Sequence, residues 1–519
     1  MIKQQHIPIS SRVIQYGQYS VSPFTMAVLK TPKDLTRFVK ESLRGKKFIV
    51  AIQREAYLHT KTARGITMEK TAGGAHSLLD GILQATGGVM VALAAGDADR
   101  ETVDEKNRVL VPPDDPRYTL KRVFIKKKEL EGFYYGFANQ TLWPLCHAVF
   151  VKPIFHNSWW QDYVTVNQKF ADAISEELEG EDGFVWINDY HLALLPTMLR
   201  RAHPKLKIGV FWHIPWPTYE IYRICPWRKD IVTGLLGANF IGFHRGYHVD
   251  NFIECNRRDL EIIVDSEPKS ITYKDHTTKV AHVPAGIDYT EIMQEIGNKK
   301  PTKRLIEQDF NFTYEKLGIG VDRIDYTKGI PERLKIIDRF FEKYPEFLGK
   351  FTYLLIGAPS RIHIPAYKAI NHEISDLVEK INWKYGNGTW RPIQYINKIL
   401  PREKIFLYYH LADICMVTSL DDGMNLVAKE YAICNKSDKG MLLLSKFTGA
   451  AKDMKSAMLI NPYDTEGSAI ALYHALTIDP KEKEKRNNDL KTVLAENNIY
   501  EWGIKFIQST ISESGERTG

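Results

Sequence analysis

Arg323 and Lys328 stand in Gly320-Val-Asp-Arg-Ile-Asp-Tyr-Thr-Lys-Gly329, where an apolar run ends and a helix-period segment begins. A forked guanidinium and a point-charge ammonium at one strand end suit a diphosphate. The same spacing also fits a surface loop paired to Asp322 and Asp325. A second segment, Ser419-Leu-Asp-Asp-Gly-Met-Asn-Leu-Val-Ala-Lys-Glu430, sets a glycine between an apolar strand and a helix expected from about Met424. Free amides at a helix start bind anions. Asp422 there would accept hydrogen bonds from sugar hydroxyls or cap the helix. Glu430, about two turns on, would accept both hydroxyls of a ribose or pair with Lys429.

Asp189 in Trp186-Ile-Asn-Asp-Tyr-His191 and His213 in Val210-Phe-Trp-His-Ile-Pro-Trp-Pro217 come from two strand ends that should reach one edge, and Pro215 and Pro217 end the second strand. A histidine behind an apolar strand also suits a core. Arg54 follows the strand 48–53, Gly73-Gly74 precedes a helix, and Tyr134 and Trp143 bracket a mixed segment. An arginine with aromatic rings is a receiver for a sugar phosphate, the fork for phosphate and the ring for the sugar face. The rings would equally serve a core. Asp97-Ala-Asp99 reads as a polar loop, because Glu101 stands where a phosphatase pattern needs Thr or Val. No His-Glu-x-x-His, Walker loop or Gly-x-Gly-x-x-Gly occurs, so zinc proteases, P-loop enzymes and typical dinucleotide enzymes have no support.

The elements that must carry these residues are short apolar strands alternating with helices. Strands are expected at 48–53, 89–94, 184–188, 208–213 and 240–244, then at 319–324, 351–356, 393–396, 414–418 and 441–445. Helices at 331–343, 367–381, 401–410, 424–434 and 466–476 separate the second set. Alternation of this kind implies an α/β chain with parallel sheets covered on both faces. The pattern restarts after the polar stretch 295–312, which puts a domain boundary between about residues 285 and 313. Two Rossmann-like domains would then face each other across a deep cleft, and ligands bind beyond the carboxyl ends of such strands.

Size and composition agree. The 519 residues exceed one core. With 44% hydrophobic and 26% charged residues, collagen-like and low-complexity classes are excluded. Five cysteines never form Cys-x-x-Cys, which fits a reducing cytoplasm and no zinc ribbon. The first twenty residues lack a signal-peptide pattern. The apolar stretch 89–95 is too short to span a bilayer. A net charge of +7 without a block of five basic residues argues against a nucleic-acid or membrane partner and tolerates phosphorylated substrates.

Several longer motifs, in order, resemble the trehalose-6-phosphate synthase family of retaining glycosyltransferases. They are Asp-Tyr-His-Leu at 189–192, His-Ile-Pro-Trp-Pro at 213–217, Asp-Tyr-Thr-Lys-Gly at 325–329, Ala-Pro-Ser-Arg at 358–361, Asp-Gly-Met-Asn-Leu-Val-Ala-Lys-Glu at 422–430 and Phe-Thr-Gly-Ala-Ala at 447–451. The resemblance implies a GT-B fold: an acceptor domain over 46–290, rejoined by a last helix near 495–515, and a nucleotide-sugar domain over 291–494. Residues 1–45 are left as an extension of unknown role. It implies that Arg323, Lys328, Asp422 and Glu430 hold the donor, with Gly74 and the backbone of Gly423, Met424, Asn425 and Leu426. It puts Asp189 and His213 at the transferred glucose and acceptor, and Arg54, Tyr134, Trp143 and Arg361 on the phosphorylated acceptor. His213, Asp189, Arg323, Lys328 and Asp422 form the expected catalytic set, with no cofactor and no metal required.

The implied activity is transfer of glucose from a nucleoside-diphosphate glucose to glucose 6-phosphate, giving α,α-trehalose 6-phosphate, an osmolyte precursor. Uridine, adenosine and guanosine donors are all open. Two departures bear on the acceptor. No Trp follows Gly87-Gly88, and Arg54-Glu-Ala-Tyr57 is similar to the glucosylglycerol-phosphate synthase branch, which makes glycerol 3-phosphate the alternative. A non-catalytic regulator would be expected to lose the donor cations or Asp422 and Glu430, and none is lost. The family also implies a homo-oligomer, and the absence of a fused phosphatase segment implies a separate phosphatase downstream.

Overall fold

The computed structural model describes residues 30–71, 74–297, 299–436 and 438–512. Gly73 and residues 1–29 of the expected extension lie outside the described residues. Two sheets organise the rest. The first has ten strands, in spatial order Ile263–Ser266, Lys269–Tyr273, His276–His282, Phe240–Phe243, Lys207–Trp212, Gly183–Asn188, Lys47–Arg54, Val89–Leu93, Tyr118–Val123 and Arg108–Val111. Its centre is parallel, while the hairpins at both margins pair antiparallel. The second sheet runs Ile393–Ile396, Phe351–Ala358, Lys316–Arg323, Ile414–Val417, Met441–Ser445 and Met458–Ile460, all parallel.

Every strand near the two centres is apolar and buried on both faces, so each sheet needs two layers of helix. The helix Asn157–Leu178 covers one face of the first sheet, and Pro32–Leu43, Ala75–Thr86 and Ile499–Ile511 cover the other. Leu35, Val39 and Leu43 of the first of these are buried in that core, so the stretch 30–45 is built into the layer. The last helix crosses back from the second domain. Its Trp502 and Phe506 meet Trp186 with ring centroids 5.0 and 3.9 Å apart, and Trp502 also meets Phe211 at 4.9 Å. Trp502→Ala should therefore cost about 3–5 kcal/mol, the scale for emptying a buried aromatic site, measured by denaturant unfolding followed at the first domain.

The antiparallel margins depart from the expected parallel pattern, and the strand Tyr118–Val123, parallel to Val89–Leu93, is not among the expected strands. That strand carries Lys121 and Arg122, both 1% exposed. Lys121 donates to Glu176 at 2.6 Å, and Arg122 bonds Glu55 and Asp99 at 2.9 and 2.8 Å. Buried charge is kept here by pairing, and it hides the strand from an apolar reading. Asp99 also accepts from the amides of His59, Ala95 and Gly96, and Asp97 from that of Lys61. The Asp97-Ala-Asp99 loop thus clamps the hairpin formed by Tyr57–Thr62 and Gly65–Lys70.

Candidate active site

The parallel centres of both sheets direct their carboxyl ends at one cleft, and contacts across it hold the domains together. Arg245 forms a bidentate pair with Asp453 at 3.0 and 2.8 Å and also donates to the Gly449 carbonyl. The Ala148 amide donates to Asp421 at 2.8 Å, and Lys429 Nζ donates to the Ala285 carbonyl at 2.7 Å. Leu426 packs against the cores of both domains.

One group of expected residues meets around aromatic rings. Arg361 lies over Trp143 at 4.7 Å and over Tyr134 at 5.9 Å, and Arg323 lies over Trp143 at 5.7 Å. Arg361 is a buried cation held by Asp325 at 3.4 Å and by the Tyr367 hydroxyl. Burial raises the Tyr134 phenol, but Arg361, Arg323 and Arg54 outweigh it and hold its pKa below the ordinary value. Three guanidinium groups therefore act on one hydroxyl, and the site is strongly receptive to anions. Tyr134 and Trp143 are positioned by a wide helical segment, Glu131–Leu142, in which Asn139 and Gln140 amides return to the carbonyls of Tyr134 and Tyr135 at 2.7 and 2.9 Å. Such π-type turns gather at functional sites.

Asp322 and Asp325, the alternative partners of Arg323 and Lys328, are engaged by other residues. Asp322 pairs with Arg333 at 2.6 Å, and Asp325 accepts from Thr327 and Tyr367 as well as Arg361. Arg323 is exposed in the cleft and has no hydrogen bond or ion pair among the described residues. Lys328 donates to Asp422 at 2.6 Å. Asp422 also accepts from Asn425 at 3.1 Å and Ser419 at 3.3 Å. Burial opposes its charge, yet Lys328 and Asn425 keep its carboxyl below the usual range.

The helix begins at Leu426, two residues later than expected. Asn425, not Asp422, caps it: its Oδ1 accepts from the Ala428 amide at 2.9 Å. Asn425 sits at φ +99°, a strained setting that costs about 1–3 kcal/mol and is typical of functional turns. Met424 is buried in the second core with only its backbone turned to Asp422. Gly423 abuts the first domain: a Cβ there would overlap the His213 carbonyl. Glu430 does not pair with Lys429. It lies near Arg402, Glu295 and Glu291; burial, with those two carboxylates, pushes it up to about 7 against the pull of Arg402.

Asp189 and His213 do meet. Asp189 holds φ +72° at the strand end, and its Oδ1 accepts the His213 amide at 3.0 Å. Burial pushes its pKa up to about 7, against the amides of His213, Tyr190 and Ile214 and the charge of Arg323. Both ring nitrogens of His213 are engaged, by Asn188 at 2.9 Å and His244 at 3.2 Å. Burial drops its pKa to about 3, so the ring is neutral and has no free nitrogen to take a proton. Arg54 is exposed at its strand end, and Gly74, at φ +84°, opens the helix Ala75–Thr86 without a side-chain cap. Sequence reasoning missed Asn188, His244 and Lys429. Their only signal was polarity at apolar strand ends and on a buried helix face.

No group of three or more His, Cys, Asp or Glu among the described residues is arranged to hold a metal ion. No helix among them is long and apolar enough to cross a membrane.

Known proteins are similar to this chain in sequence and fold. The model of glycosyltransferase family 20 matches residues 45–511. The chain is 35% identical over 391 residues to "Alpha,alpha-trehalose-phosphate synthase [UDP-forming] A" of Dictyostelium discoideum, covering 75% of this chain and 53% of that protein. The chain thus spans about half of that relative. It is 34% identical over 478 residues to the trehalose-6-phosphate synthase of Mycolicibacterium vanbaalenii, covering 90% and 96% of the two. Among solved structures, the E. coli trehalose-6-phosphate protein bound with UDP-2-fluoro glucose superposes with a TM-score of 0.80 at 29% identity, over 90% of this chain and 99% of that one. A UDP-forming α,α-trehalose-phosphate synthase from Burkholderia xenovorans in complex with glucose 6-phosphate gives 0.79 at 28%, over 89% and 99%. The expected GT-B architecture of two facing α/β domains stands, and the chain belongs to glycosyltransferase family 20.

Proposed function

We propose that the protein transfers glucose from UDP-glucose to glucose 6-phosphate, forming α,α-trehalose 6-phosphate and UDP. The observation that carries this reading is the cluster of Arg323, Arg361, Tyr134 and Trp143 across one cleft, beside the Lys328–Asp422 pair. The names of the relatives, which include UDP-forming trehalose-phosphate synthases, support the uridine donor and the hexose phosphate over glycerol 3-phosphate.

In this reading Arg361, Tyr134, Trp143 and Arg54 receive the acceptor phosphate and sugar. Arg323, Lys328 and the backbone from Gly423 to Leu426 take the donor diphosphate, with Gly74 facing it from the first domain. Asp422 accepts from glucose hydroxyls once Lys328 turns to phosphate, and Glu430 accepts from the ribose. Charge that builds on the departing diphosphate meets Arg323, Lys328 and the helix amides, which need no reorganisation at that moment. Asp189 orients the His213 peptide against the sugar. Retention follows a front-face route in which a departing phosphate oxygen takes the acceptor proton, so no carboxylate nucleophile is assigned. The closed cleft keeps water from the donor. Five buried free cysteines support a reducing, cytoplasmic setting. A homo-oligomer and a separate phosphatase complete the reading.

Nucleotide release tests it. UDP-, ADP- and GDP-glucose are each incubated with glucose 6-phosphate or glycerol 3-phosphate. Release that needs UDP-glucose and glucose 6-phosphate is expected; release only with glycerol 3-phosphate contradicts the acceptor assignment.

A further inference from the structure

His213 carries a choice that its nearest neighbour does not make. Its Nε2 lies 2.9 Å from Asn188 Oδ1. A side-chain amide turns from acceptor to donor by rotating half a turn, and Asn188 Nδ2 is buried without a partner among the described residues. Asn188 therefore suits either tautomer of His213.

The choice is made further along. Nδ1 of His213 is 3.2 Å from His244 Nε2, and Nδ1 of His244 is 3.2 Å from the amide nitrogen of Ala285. A backbone N–H can only donate, so His244 Nδ1 accepts. The hydrogen of a neutral His244 ring is then on Nε2 and is donated to His213 Nδ1. His213 must carry its own hydrogen on Nε2 and donate it to Asn188 Oδ1. Both rings are kept in place by Phe211, at 4.6 Å from His213 and 5.0 Å from His244.

Ala285 is held in turn from the opposite domain. Lys429 Nζ donates to its carbonyl at 2.7 Å, and Lys429 is 2% exposed on the helix that carries Glu430. A line of contacts thus runs from the donor-side helix through the carbonyl and amide of the one residue Ala285 and two imidazoles to Asn188, the neighbour of Asp189. Asp189 binds the His213 amide, and Gly423 meets the His213 carbonyl. Ring, amide and carbonyl of one residue are all fixed once the domains are together.

We infer that His244 is a positioning residue for the transfer reaction, fixing the hydrogen of His213 on Nε2 and taking its own orientation from the amide of Ala285, a residue that Lys429 holds through its carbonyl. The kinetic side of this inference rests on the glucosyl-transfer reading above; the tautomer does not.

The test uses the full chain with ¹⁵N-labelled histidine, the His213 signals being assigned by their loss in His213→Gln. The wild type should show His213 as the Nε2–H tautomer. In His244→Leu both tautomers should appear, and turnover should fall about 10–100-fold, the scale of a misplaced reacting group, with both KM values near wild type. His244→Gln keeps a donor amide towards His213 and should recover most of the turnover. A wild-type His213 with its hydrogen on Nδ1 would overturn the inference. So would His244→Leu with unchanged tautomer and turnover. Should His244→Leu fail to fold, the wild-type tautomer and His244→Gln decide. A wild type that shows Nε2–H but transfers no glucose would overturn the proposed function and leave the tautomer assignment standing.

Discussion

Arg323→Ala is expected to lower turnover at least ~100-fold, the scale of one lost charge-stabilising donor, while leaving the fold intact. The two halves of that statement come from the same observation. Arg323 ends a central strand, is exposed to the cleft and makes no ion pair among the described residues. It lies over the face of Trp143. Nothing in the core is unpaired by removing it, so melting temperature should stay near wild type. The loss should appear in kcat as well as kcat/KM, because the diphosphate charge that it meets grows in the transition state. Arg323→Lys should fall between the two, keeping charge and losing the fork. Near-normal turnover in the alanine variant would refute the diphosphate role. Paired Arg361→Ala measurements should differ in kind, since that arginine is buried against Asp325 and Tyr367 and its loss touches stability too.

Gly423→Ala should be nearly as damaging by a different route. The added Cβ would overlap the carbonyl oxygen of His213 and approach its carbonyl carbon and that of Ile214. These are backbone atoms, and the His213 amide is already tied to Asp189, so the obstruction is not relieved by a side-chain rotation. The domains must instead sit farther apart. A displacement of about 1 Å at a reacting centre costs about 100-fold, and kcat/KM should fall by that amount. Each domain keeps its own core, so thermal unfolding should barely change. UDP binding measured by calorimetry should persist, because Arg323, Lys328 and the backbone amides from Gly423 to Leu426 all remain in the second domain. A Gly423→Ala enzyme with wild-type kcat/KM would show that this closed contact is not the working arrangement.

The residues of the candidate site were easier to pick out in the sequence than parts of the scaffold. Arg323, Lys328, Asp422 and Asp189 sit at ends of apolar runs, where a polar residue stands out and its position beyond a parallel strand says where it points. The central strands were legible for the same reason. Tyr118–Val123 was not, because Lys121 and Arg122 interrupt its apolar character and are balanced by Glu176, Glu55 and Asp99 from distant parts of the chain. Pairing of this kind is a tertiary fact that no local window contains. Of the two roles open to Asp422, the cap falls to Asn425: both have capping side chains, and only the backbone at φ +99° selects the later one. The tie between Lys429 and Ala285 was equally hidden: a lysine beside a glutamate reads as a surface pair until the helix is buried between two domains.

The most direct test of the whole account is the ¹H NMR spectrum of the product formed from UDP-glucose and glucose 6-phosphate by the purified full chain. The account predicts a phosphorylated disaccharide with two α-anomeric protons and no reducing end, accumulating in step with UDP. A β-linked or reducing product, or UDP formed with free glucose and no disaccharide, would contradict it.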